Sequence, residues 1–586
     1  MWCRTCNIET SDKICPICKS ETDEDLPVEI YWCSECKTPI VTEVNQADKG
    51  LCPICRSKTE YLSTDLRPVF PEERLLIELI LGKEPNECKE CSVWASNNRY
   101  YFDGKKYNIQ NSLFSQLDAD VIRTKLIENQ TNNSYEFFNK YISNFIKANR
   151  FRYSYMVNEA NEFIKKTSSN VEEEKIVISF SGGKDSTVVA DLVIKALGNP
   201  NLVHIFGDTT LEFPTTLEYA ERYRKSHLQA IFQVAKNYEQ NFMSVCEDIG
   251  PPARMMRWCC SMFKTGPITR VLNSLYRDQK ILTYYGIRKS ESVSRSKYNR
   301  IEGDSESVKI QKQVVASPIF FWKDIDIWLY ILTTGIDFNE AYRRGYDRVG
   351  CWCCPNNNLR AQFMSKIFMP DKSKEWRDFL ISFASSIGKL DAEEYVETGK
   401  WKARQGGNGL ISAGDVKIKF TNCTSEEHAK IYKLKQEVND EFIELFIPFG
   451  RIAPELGQKL LNETIILDIK TNVPIISIQP FGQEGYDYAV KIKTMNVADH
   501  DDLKRMIAYQ VRKFNACRKC LKCESLCKAG AISIIGDRYS INADKCVHCK
   551  MCVNQKLGRG SPASPAAATP ARCCGSTRVP GRTPPP

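Results

Sequence analysis

Short apolar runs alternate with amphipathic segments in the middle of the chain. KIVISF (175–180) and NLVHIF (201–206) are continuous apolar runs, which are typical of parallel strands covered on both faces. The segment STVVADLVIKAL, which lies between them, predicts a helix. Strand, helix and strand in this order form a βαβ unit. We therefore predict an α/β fold with an open, doubly wound and mostly parallel sheet over 151–390.

The segments on either side of this region follow other patterns. RYYFDGKKYNI alternates around Asp103 and Gly104, which predicts a hairpin in a small mixed α/β domain over 61–150. FIKANRFRYSYMVNEANEFIKK predicts one basic, aromatic amphipathic helix that packs on its neighbour or touches nucleic acid. ETIILDIK and VPIISIQPF are strand-like runs, and with the helical runs near them they predict an α+β domain over 391–510.

Length and composition narrow the class of protein. The 586 residues suggest about three to five domains, and a net charge of +9 permits a nucleic-acid partner without requiring one. No stretch approaches the roughly 18 apolar residues of a membrane span, and the start, MWCRTCNIET, is not a signal sequence, so we expect a cytoplasmic protein without a membrane partner. The Pro/Ala/Gly/Arg-rich end predicts a disordered tail over 558–586.

Cysteine carries the strongest chemical signal. The chain has 26 cysteines, many in C-x-x-C pairs, and in a reducing compartment this spacing indicates metal binding rather than disulfides. KICPICKS and GLCPICRS are near-copies, which predicts tandem zinc ribbons over 1–60 with one or two Zn²⁺. Iron in a rubredoxin-like site would use the same spacing, and a further pair, Cys88 and Cys91, is either structural or metal-binding. The predicted ribbon ligands are Cys3, Cys6, Cys15, Cys18, Cys33, Cys36, Cys52 and Cys55.

A glycine-rich turn, SGGKDS, follows the first apolar run. The start of a helix leaves N–H groups unpaired and receives anions well, and two glycines let the backbone approach phosphate oxygens. The Walker spacing is absent, and tight strand–helix packing is the alternative to phosphate binding. The aspartate of the turn either positions Mg²⁺ or caps the helix. The predicted phosphate-binding residues are Ser181, Gly182, Gly183, Lys184, Asp185 and Ser186.

Two further segments, GDTTLEFPTTLEY and GIRKSESVSR, accompany this turn. Together the three segments, within about 175–360, resemble the phosphoadenosine phosphosulfate (PAPS) reductase family of the adenine-nucleotide α-hydrolase superfamily. The resemblance implies a Rossmann-like fold that binds ATP, adenosine phosphosulfate (APS) or PAPS at the carboxyl ends of the strands. It also implies that Asp208 lies near the nucleotide or its metal and that Arg288 and Arg295 face the anionic group. The implied catalytic residues are Lys184, Asp185, Asp208 and Arg288.

Cysteines in RWCCSMFKTGP and GCWCCPNN resemble those of the iron–sulfur subgroup of this family. The resemblance implies one [4Fe–4S] cluster held by Cys259, Cys260, Cys351 and Cys354, with Cys353 spare; a zinc site is the alternative. The E-C-G-x-H segment of the sulfite-forming reductases is absent. Cys423 is a weak substitute for its nucleophile, so the thiosulfonate route of those enzymes is not expected here.

A second cysteine-rich segment, over 511–557, resembles a bacterial ferredoxin. Its first run has the spacing C-x₂-C-x₂-C-x₃-C, and the second run repeats the first three positions. In that fold the fourth cysteine of each run ligates the other cluster, so Cys527 would complete the second cluster. Lys556 stands where the fourth ligand of the first cluster is expected, so one or two [4Fe–4S] clusters are predicted. The implied ligands are Cys517, Cys520, Cys523, Cys527, Cys546, Cys549 and Cys552.

These features predict an iron–sulfur enzyme that binds an adenine nucleotide and draws electrons from an external donor. It would act either as a PAPS-reductase-like oxidoreductase on an adenylylated sulfate, or as an ATP-dependent sulfurtransferase that inserts sulfur into tRNA or DNA. The zinc ribbons, the net charge of +9 and the missing E-C-G-x-H segment favour the second version. The alternative is a zinc-ribbon nucleic-acid-binding protein whose nucleotide domain only senses.

Overall fold

The computed structural model describes most of the chain. The described residues are 2–3, 8–9, 14–20, 28–43, 50–130, 134–254, 256–277, 279–292, 295–303, 313–403, 419–482, 487–517, 523–524, 527, 529–536 and 538–553. Cys6, Cys520 and the predicted tail over 558–586 lie outside these residues, and for Cys3 only the strand is described. None of the described helices is long and apolar enough to cross a bilayer.

Two small β-units begin the chain. The first contains the antiparallel pair β1 (Trp2–Cys3) and β2 (Ile8–Glu9). The second is a three-stranded sheet of order β4-β3-β5, with β3 (Val28–Cys33), β4 (Thr38–Glu43) and β5 (Glu60–Ser63). Alternate residues of β3 are buried in a hydrophobic core that continues into the central sheet. The second unit therefore packs on the rest of the protein in addition to carrying its cysteines.

A four-stranded antiparallel sheet follows, and it contains the predicted hairpin. Asp103 and Gly104 both have left-handed backbones (φ 45° and 81°), as a two-residue Asp-Gly turn requires. The elements are β6 (Arg67–Pro68), α1 (Pro71–Ile80), β7 (Val93–Ser96), β8 (Arg99–Phe102), β9 (Lys105–Asn108) and α2 (Ala119–Asn129). The sheet order is β6-β7-β8-β9.

The single amphipathic helix predicted next is wrong. The stretch forms two helices, α3 (Glu136–Ala148) and α4 (Arg150–Ser168), with Asn149 between them. The Asn149 amide donates to Pro39 O at 3.0 Å and accepts from Val41 N at 2.7 Å, so it binds the edge of β4. Asparagine often exchanges a helical position for such local hydrogen bonds. The break thus attaches the second β-unit to these helices.

The central domain has the predicted sheet. Its strand order is β12-β11-β10-β13-β15-β14, and every neighbouring pair is parallel except β14–β15. This confirms the α/β, mostly parallel fold. The elements are β10 (Ile176–Phe180), α5 (Lys184–Leu197), β11 (Val203–Asp208), α6 (Pro214–Ser226), β12 (Ile231–Lys236), α7 (Phe242–Ile249), α8 (Trp258–Cys260), α9 (Gly266–Tyr276), β13 (Ile281–Tyr284), β14 (Ile301–Glu302), β15 (Gln313–Ala316), α10 (Asp324–Thr334), α11 (Leu359–Phe368), α12 (Pro370–Ser386) and α13 (Ala392–Glu397).

Helices cover both faces of this sheet. Ile176 and Ile178 of β10 pack in the core that contains α5 and α10, whereas Val177 packs in a separate cluster with Leu272 of α9. Because the strands are parallel, the segments after β10, β11 and β13 emerge at one edge of the sheet. These are the segments that hold the predicted nucleotide-binding residues.

The C-terminal part is a six-stranded antiparallel sheet of order β16-β17-β21-β20-β19-β18, followed by a hairpin. The runs predicted as strands are β19 and β20. Arg270 of α9 donates to Ile534 O at 2.7 Å, which joins the hairpin to the central domain. The elements are β16 (Phe420–Asn422), β17 (Ala429–Leu434), α14 (Asp440–Glu444), β18 (Arg451–Ala453), β19 (Thr464–Leu467), β20 (Pro474–Pro480), β21 (Tyr488–Thr494), α15 (His500–Ala516), β22 (Ile532–Ile535) and β23 (Arg538–Ile541).

Candidate active site

The glycine turn lies between the end of β10 and the start of α5. Gly182 has a left-handed backbone (φ +68°), and a β-carbon there would lie 2.9 Å from Cγ2 of Thr216. A β-carbon at Gly183 would lie 3.3 Å from both the Tyr342 hydroxyl and Cγ2 of Val349. The glycines are therefore needed for the backbone conformation at one position and for close approach at both.

Hydrogen bonds within the turn organise its backbone. The Ser181 amide donates to Ser186 Oγ at 3.1 Å, and Ser186 Oγ donates to Gly183 O at 2.9 Å. The Lys184 amide, which begins α5, donates to the Tyr342 hydroxyl at 3.1 Å. The tyrosine hydroxyl thus accepts the hydrogen bond that this amide would donate to a phosphate oxygen at a helix start.

Lys184 and Arg288 belong to a group of buried charges at this edge. The Lys184 ammonium lies 3.3 Å from Asp185 Oδ2 and 3.2 Å from Asp324 Oδ1. Arg288 pairs with Asp185 and donates to Asp324 Oδ1 at 2.9 Å. Burial alone would lower the pKa of Lys184, but the two carboxylates outweigh it and the pKa is raised. Burial likewise opposes ionisation of Asp185, yet Arg288 and Lys184 hold its pKa well below the usual range.

Asp65 is a member of this group that the sequence patterns did not indicate. It lies outside the central domain, between β5 and β6, and its carboxylate accepts from the amides of Asp324 and Ile325, both at 3.1 Å. It therefore caps the start of α10 from a distant part of the chain. Burial and the neighbouring Asp324 raise the pKa of Asp65 to about 7.

Asp208 and Arg295 lie at the same edge in different surroundings. Asp208 ends β11, and its Oδ2 lies 3.0 Å from the Lys236 ammonium. Arg295 pairs with Glu291, whose other oxygen lies 3.2 Å from Arg348. Burial and the nearby Arg348 lower the pKa of Arg295. Two arginines therefore share one carboxylate beside Arg288.

Five cysteines of the central domain come together from two segments. Cys259 and Cys260 lie on α8, and Cys351 forms a β-bridge with Glu212, in the loop after β11. A hydrogen bond with Cys260, burial and the nearby Cys351 raise the pKa of Cys259. Burial raises the pKa of Cys354, and the neighbouring Cys260 contributes to the same effect. The four implied ligands are thus close enough to influence one another, as a shared metal centre requires.

The spare cysteine has a buried partner that the sequence did not suggest. Cys353 is 5% exposed and Cys246 of α7 is 0% exposed. Burial, Cys351 and Cys246 together raise the pKa of Cys353 well above its usual range. These two cysteines are therefore buried in the protein interior next to the cysteine group.

A short segment connects the glycine turn with these cysteines. The Lys184 ammonium donates to Asp347 O at 3.4 Å, and Cys351 Sγ lies 3.7 Å from Thr209 Oγ1 in the loop after β11. Cys351 lies four positions after Asp347 in the chain, which corresponds to about 14 Å at full extension. The turn and the cysteine group are therefore neighbours at one edge of the sheet.

Four thiols of the second β-unit have the geometry of a zinc site. Sγ of Cys33 lies 3.5 Å from that of Cys55, and Sγ of Cys52 lies 3.8 Å from that of Cys36. A tetrahedral Zn²⁺ with its usual bond lengths places thiolates about 3.8 Å apart. Among the residues that the structure describes, this is the one group of three or more metal donors within 4.8 Å of one another. The thiols around Cys351 are accordingly spaced more widely.

The two copies of the CPIC segment adopt the same type of turn. Cys15 N donates to Ser20 O at 2.8 Å, and Cys52 N donates to Ser57 O at 2.9 Å. Each turn continues with a left-handed residue, Lys19 and Arg56 respectively. The duplication that the sequence indicates is therefore also present in the backbone, although the full ligand set of the first unit lies partly outside the described residues.

The other sequence-predicted cysteines lie in three places. Burial raises the pKa of both Cys88 and Cys91, and Cys91 N donates to Cys88 O at 3.0 Å. Cys423 contacts Ser425 Oγ at 3.3 Å in the C-terminal sheet. Burial raises the pKa of Cys546, to which Cys527 and Cys549 contribute, and the pKa of Cys552 is raised to about 12 by burial despite Lys513, with Cys523 and Cys527 adding to it. Cys517 is partly exposed.

This geometry is that of an α/β domain with a mostly parallel sheet, helices on both faces and a glycine turn at the carboxyl edge, where open α/β sheets generally bind ligands. Residues 175–357 match the family model of the phosphoadenosine phosphosulfate reductase domain. This part of the chain is therefore similar to that domain.

Similar proteins cover part of the chain. An uncharacterized protein of Methanocaldococcus jannaschii is 32% identical over 240 residues, which is 41% of this chain and 48% of that protein. The chain thus spans about half the length of that relative. The adenosine 5′-phosphosulfate reductase of Staphylococcus epidermidis is 25% identical over 197 residues, 33% of this chain and 74% of that protein. A crystal structure of Candida auris PAPS reductase with phosphate covers 33% of this chain and 89% of its own, with 18% identity and a TM-score of 0.27.

Proposed function

We propose that the protein is an iron–sulfur enzyme that binds an adenine nucleotide (ATP, APS or PAPS) and carries out reductive sulfur chemistry. The observation that carries this proposal is the short segment between Lys184 and Cys351. The glycine turn contacts this segment at Asp347, and the thiols begin four positions later at Cys351, which supports a nucleotide and an electron-carrying centre that share one edge of the sheet.

The residues of the turn would act electrostatically. The α5 amides, Lys184 and Arg288 would stabilise negative charge on the phosphate next to the reacting bond. In the structure these groups are paired with Tyr342, Asp185 and Asp324. The entering phosphate would exchange these partners. Asp208 would lie near the nucleotide or an accompanying Mg²⁺, and Arg295 would face the anionic end of the substrate.

The thiols of Cys259, Cys260, Cys351 and Cys354 would hold a [4Fe–4S] cluster. Four clustered thiols suit iron–sulfur ligation, and a cluster, being larger than a single ion, accommodates the wider spacing of this group. When bound, it would supply electrons at the site. Zn²⁺ would occupy the group at Cys33, Cys36, Cys52 and Cys55, and the matching set in the first β-unit is proposed as well.

The segment 511–557 would deliver electrons from an external donor through one or two further clusters. Its support is the proximity of Cys527 to Cys546 and Cys552, and the contact of Arg270 with this segment. Arg270 lies on α9, the helix that follows Cys259 and Cys260 closely. Reduced thiols of this number also favour a cytoplasmic location.

Two reactions fit this site. One is reduction of an adenylylated sulfate, and the other is nucleotide-activated transfer of sulfur to tRNA or DNA. The absence of an E-C-G-x-H segment and the net charge of +9 favour transfer. A zinc-ribbon nucleic-acid-binding protein with a sensing nucleotide domain is a second candidate, but a sensor would need no electron supply.

The deciding assay uses anaerobically purified protein incubated separately with ATP, APS and PAPS, each with and without tRNA or DNA. Sulfite released from APS or PAPS would favour the reductase. AMP and pyrophosphate formed from ATP only when nucleic acid is present would favour sulfur transfer. Nucleotide binding without turnover in any combination, from protein that contains iron, would favour the sensor. Iron-free protein after anaerobic reconstitution would contradict the proposed redox role.

A further inference from the structure

A buried network of charges joins the small N-terminal sheet to the segment between Lys184 and Cys351. Arg67 binds both oxygens of Glu73, at 2.6 and 2.7 Å, and donates to Asp347 Oδ1 at 2.7 Å. Arg360 donates to Asp347 Oδ2 at 2.9 Å, to Glu73 Oε1 at 3.0 Å and to the Tyr100 hydroxyl at 2.7 Å. Two arginines and two carboxylates therefore alternate, and each charge touches two of opposite sign.

Three of the four charged members are buried and closely fitted, whereas the Asp347 side chain is 39% exposed. Glu73 is fully buried and Arg67 and Arg360 are 5% and 3% exposed. Gly345 has a left-handed backbone (φ +92°), and a β-carbon there would lie 2.7 Å from Cγ and Cδ of Glu73. Arg360 also donates to Gly345 O at 2.7 Å. A paired, mostly buried network of this kind holds the attached backbone in one position, whereas loss of one member leaves an excess of one sign of charge on the remaining three.

Asp347 connects this network to the glycine turn. Its side chain is held by Arg67 and Arg360, and its main-chain oxygen accepts from the Lys184 ammonium at 3.4 Å. Val349, two residues later, packs against the glycine turn, and Cys351 follows two residues after that. Arg67, Glu73 and Arg360 all lie outside 175–357, the part that matches the family domain.

We propose that Arg67 and Glu73 are positioning residues for the nucleotide and cysteine site. They act through Asp347, which links the position of Lys184 to that of Cys351. Nucleotide binding at the turn would therefore reduce the motion of the segment 345–354. The nucleotide part of this inference rests on the proposed function, because it requires the turn to bind ATP, APS or PAPS.

The test compares Arg67→Met with Arg300→Met in the full chain. Arg300 is a suitable control because it is also buried, at 2% exposed, and pairs with one glutamate, Glu159, and with Pro318 O. ATP, APS and PAPS are titrated separately by calorimetry, and hydrogen exchange of 345–354 is followed with and without each nucleotide. Removal of the hydrogen-bonded partner behind a metal ligand commonly costs about 10–100-fold in affinity or activity, and we expect the same range for a partner behind Asp347. We expect Arg67→Met to weaken binding by about that factor and to abolish nucleotide-induced protection of 345–354.

The control should keep both properties near those of the wild type. Arg67→Met with wild-type affinity and wild-type protection of 345–354 would overturn the inference, and so would equal losses in the two variants. If Arg67→Met does not fold, Glu73→Gln keeps the side-chain shape and removes the charge, and the same outcomes apply. If the wild type binds none of the three nucleotides, the proposed function fails, while faster exchange of 345–354 in Arg67→Met than in Arg300→Met still decides whether the network holds this segment.

Discussion

The glycine turn gives a sharp test because the chain contains a matched control. Gly182 and Gly198 flank α5, and both have left-handed backbones, with φ +68° and +64°. A β-carbon at Gly198 would meet no atom within 4 Å, whereas one at Gly182 would lie 2.9 Å from Cγ2 of Thr216. Thr216 has little freedom to move away, because it is 1% exposed and its hydroxyl accepts from Asn339 at 2.8 Å.

The magnitude follows from two separable costs. A left-handed alanine costs roughly 1–2 kcal/mol, and both substitutions carry this cost. Crowding in a packed interior adds typically about 1–3 kcal/mol, and only Gly182→Ala carries that addition. We therefore expect Gly182→Ala to lower the free energy of unfolding by about 1–3 kcal/mol more than Gly198→Ala does.

Chemical denaturation measures this difference, and calorimetric titration with ATP, APS and PAPS measures its consequence for binding. The β-carbon at Gly182 displaces the backbone that would receive phosphate, so binding should be lost in Gly182→Ala and retained in Gly198→Ala. Equal stability losses would contradict the packing argument. Equal and undiminished affinities would refute the assignment of the turn as the phosphate site.

Three further predictions concern the metal sites and Asp65. Cys52→Ser should lower the zinc content by one ion per chain, measured by elemental analysis, while Cys423→Ser leaves it unchanged; unchanged zinc in both would refute the ribbon site. Cys351→Ser should remove iron from the central domain but not zinc, and full retention of iron would contradict that site. Because the pKa of Asp65 is raised to about 7 by burial and Asp324, the folded protein holds a proton that the unfolded chain releases near pH 4, so stability falls as pH rises from about 4 to 7. Asp65→Asn should flatten this fall in pH-dependent denaturation, and an unchanged slope would contradict the assignment.

The parts of the structure that sequence could predict are those governed by local rules. The apolar runs before Ser181 and Gly207 gave parallel strands because both faces of such strands are covered. The Asp103-Gly104 hairpin followed from the φ values that this turn needs. The glycine turn also follows a local rule, because Gly182 has a left-handed backbone and close contacts that require a residue without a side chain.

The parts that sequence could not predict depend on contacts between distant residues. Asp65 caps α10 although 259 residues separate it from Asp324, and Arg67 binds Asp347 across 280 residues. The break at Asn149 likewise depends on hydrogen bonds to β4 rather than on the helical pattern around it. No period or spacing in the chain encodes such partners.

The carboxylates around the turn affect how Lys184 and Arg288 could bind an anion. The sequence predicts that Lys184 binds phosphate and that Arg288 faces the anionic group, and in the structure both are paired with Asp185 and Asp324. Asp185 is therefore neither a simple helix cap nor a free metal ligand in this state. An entering phosphate would compete with Asp185 and Asp324 for these cations, and a ligand with several anionic oxygens would compete best. The proposed site would therefore favour a polyanionic nucleotide over a neutral nucleoside, because a neutral ligand would leave the existing ion pairs in place and gain nothing from the cations.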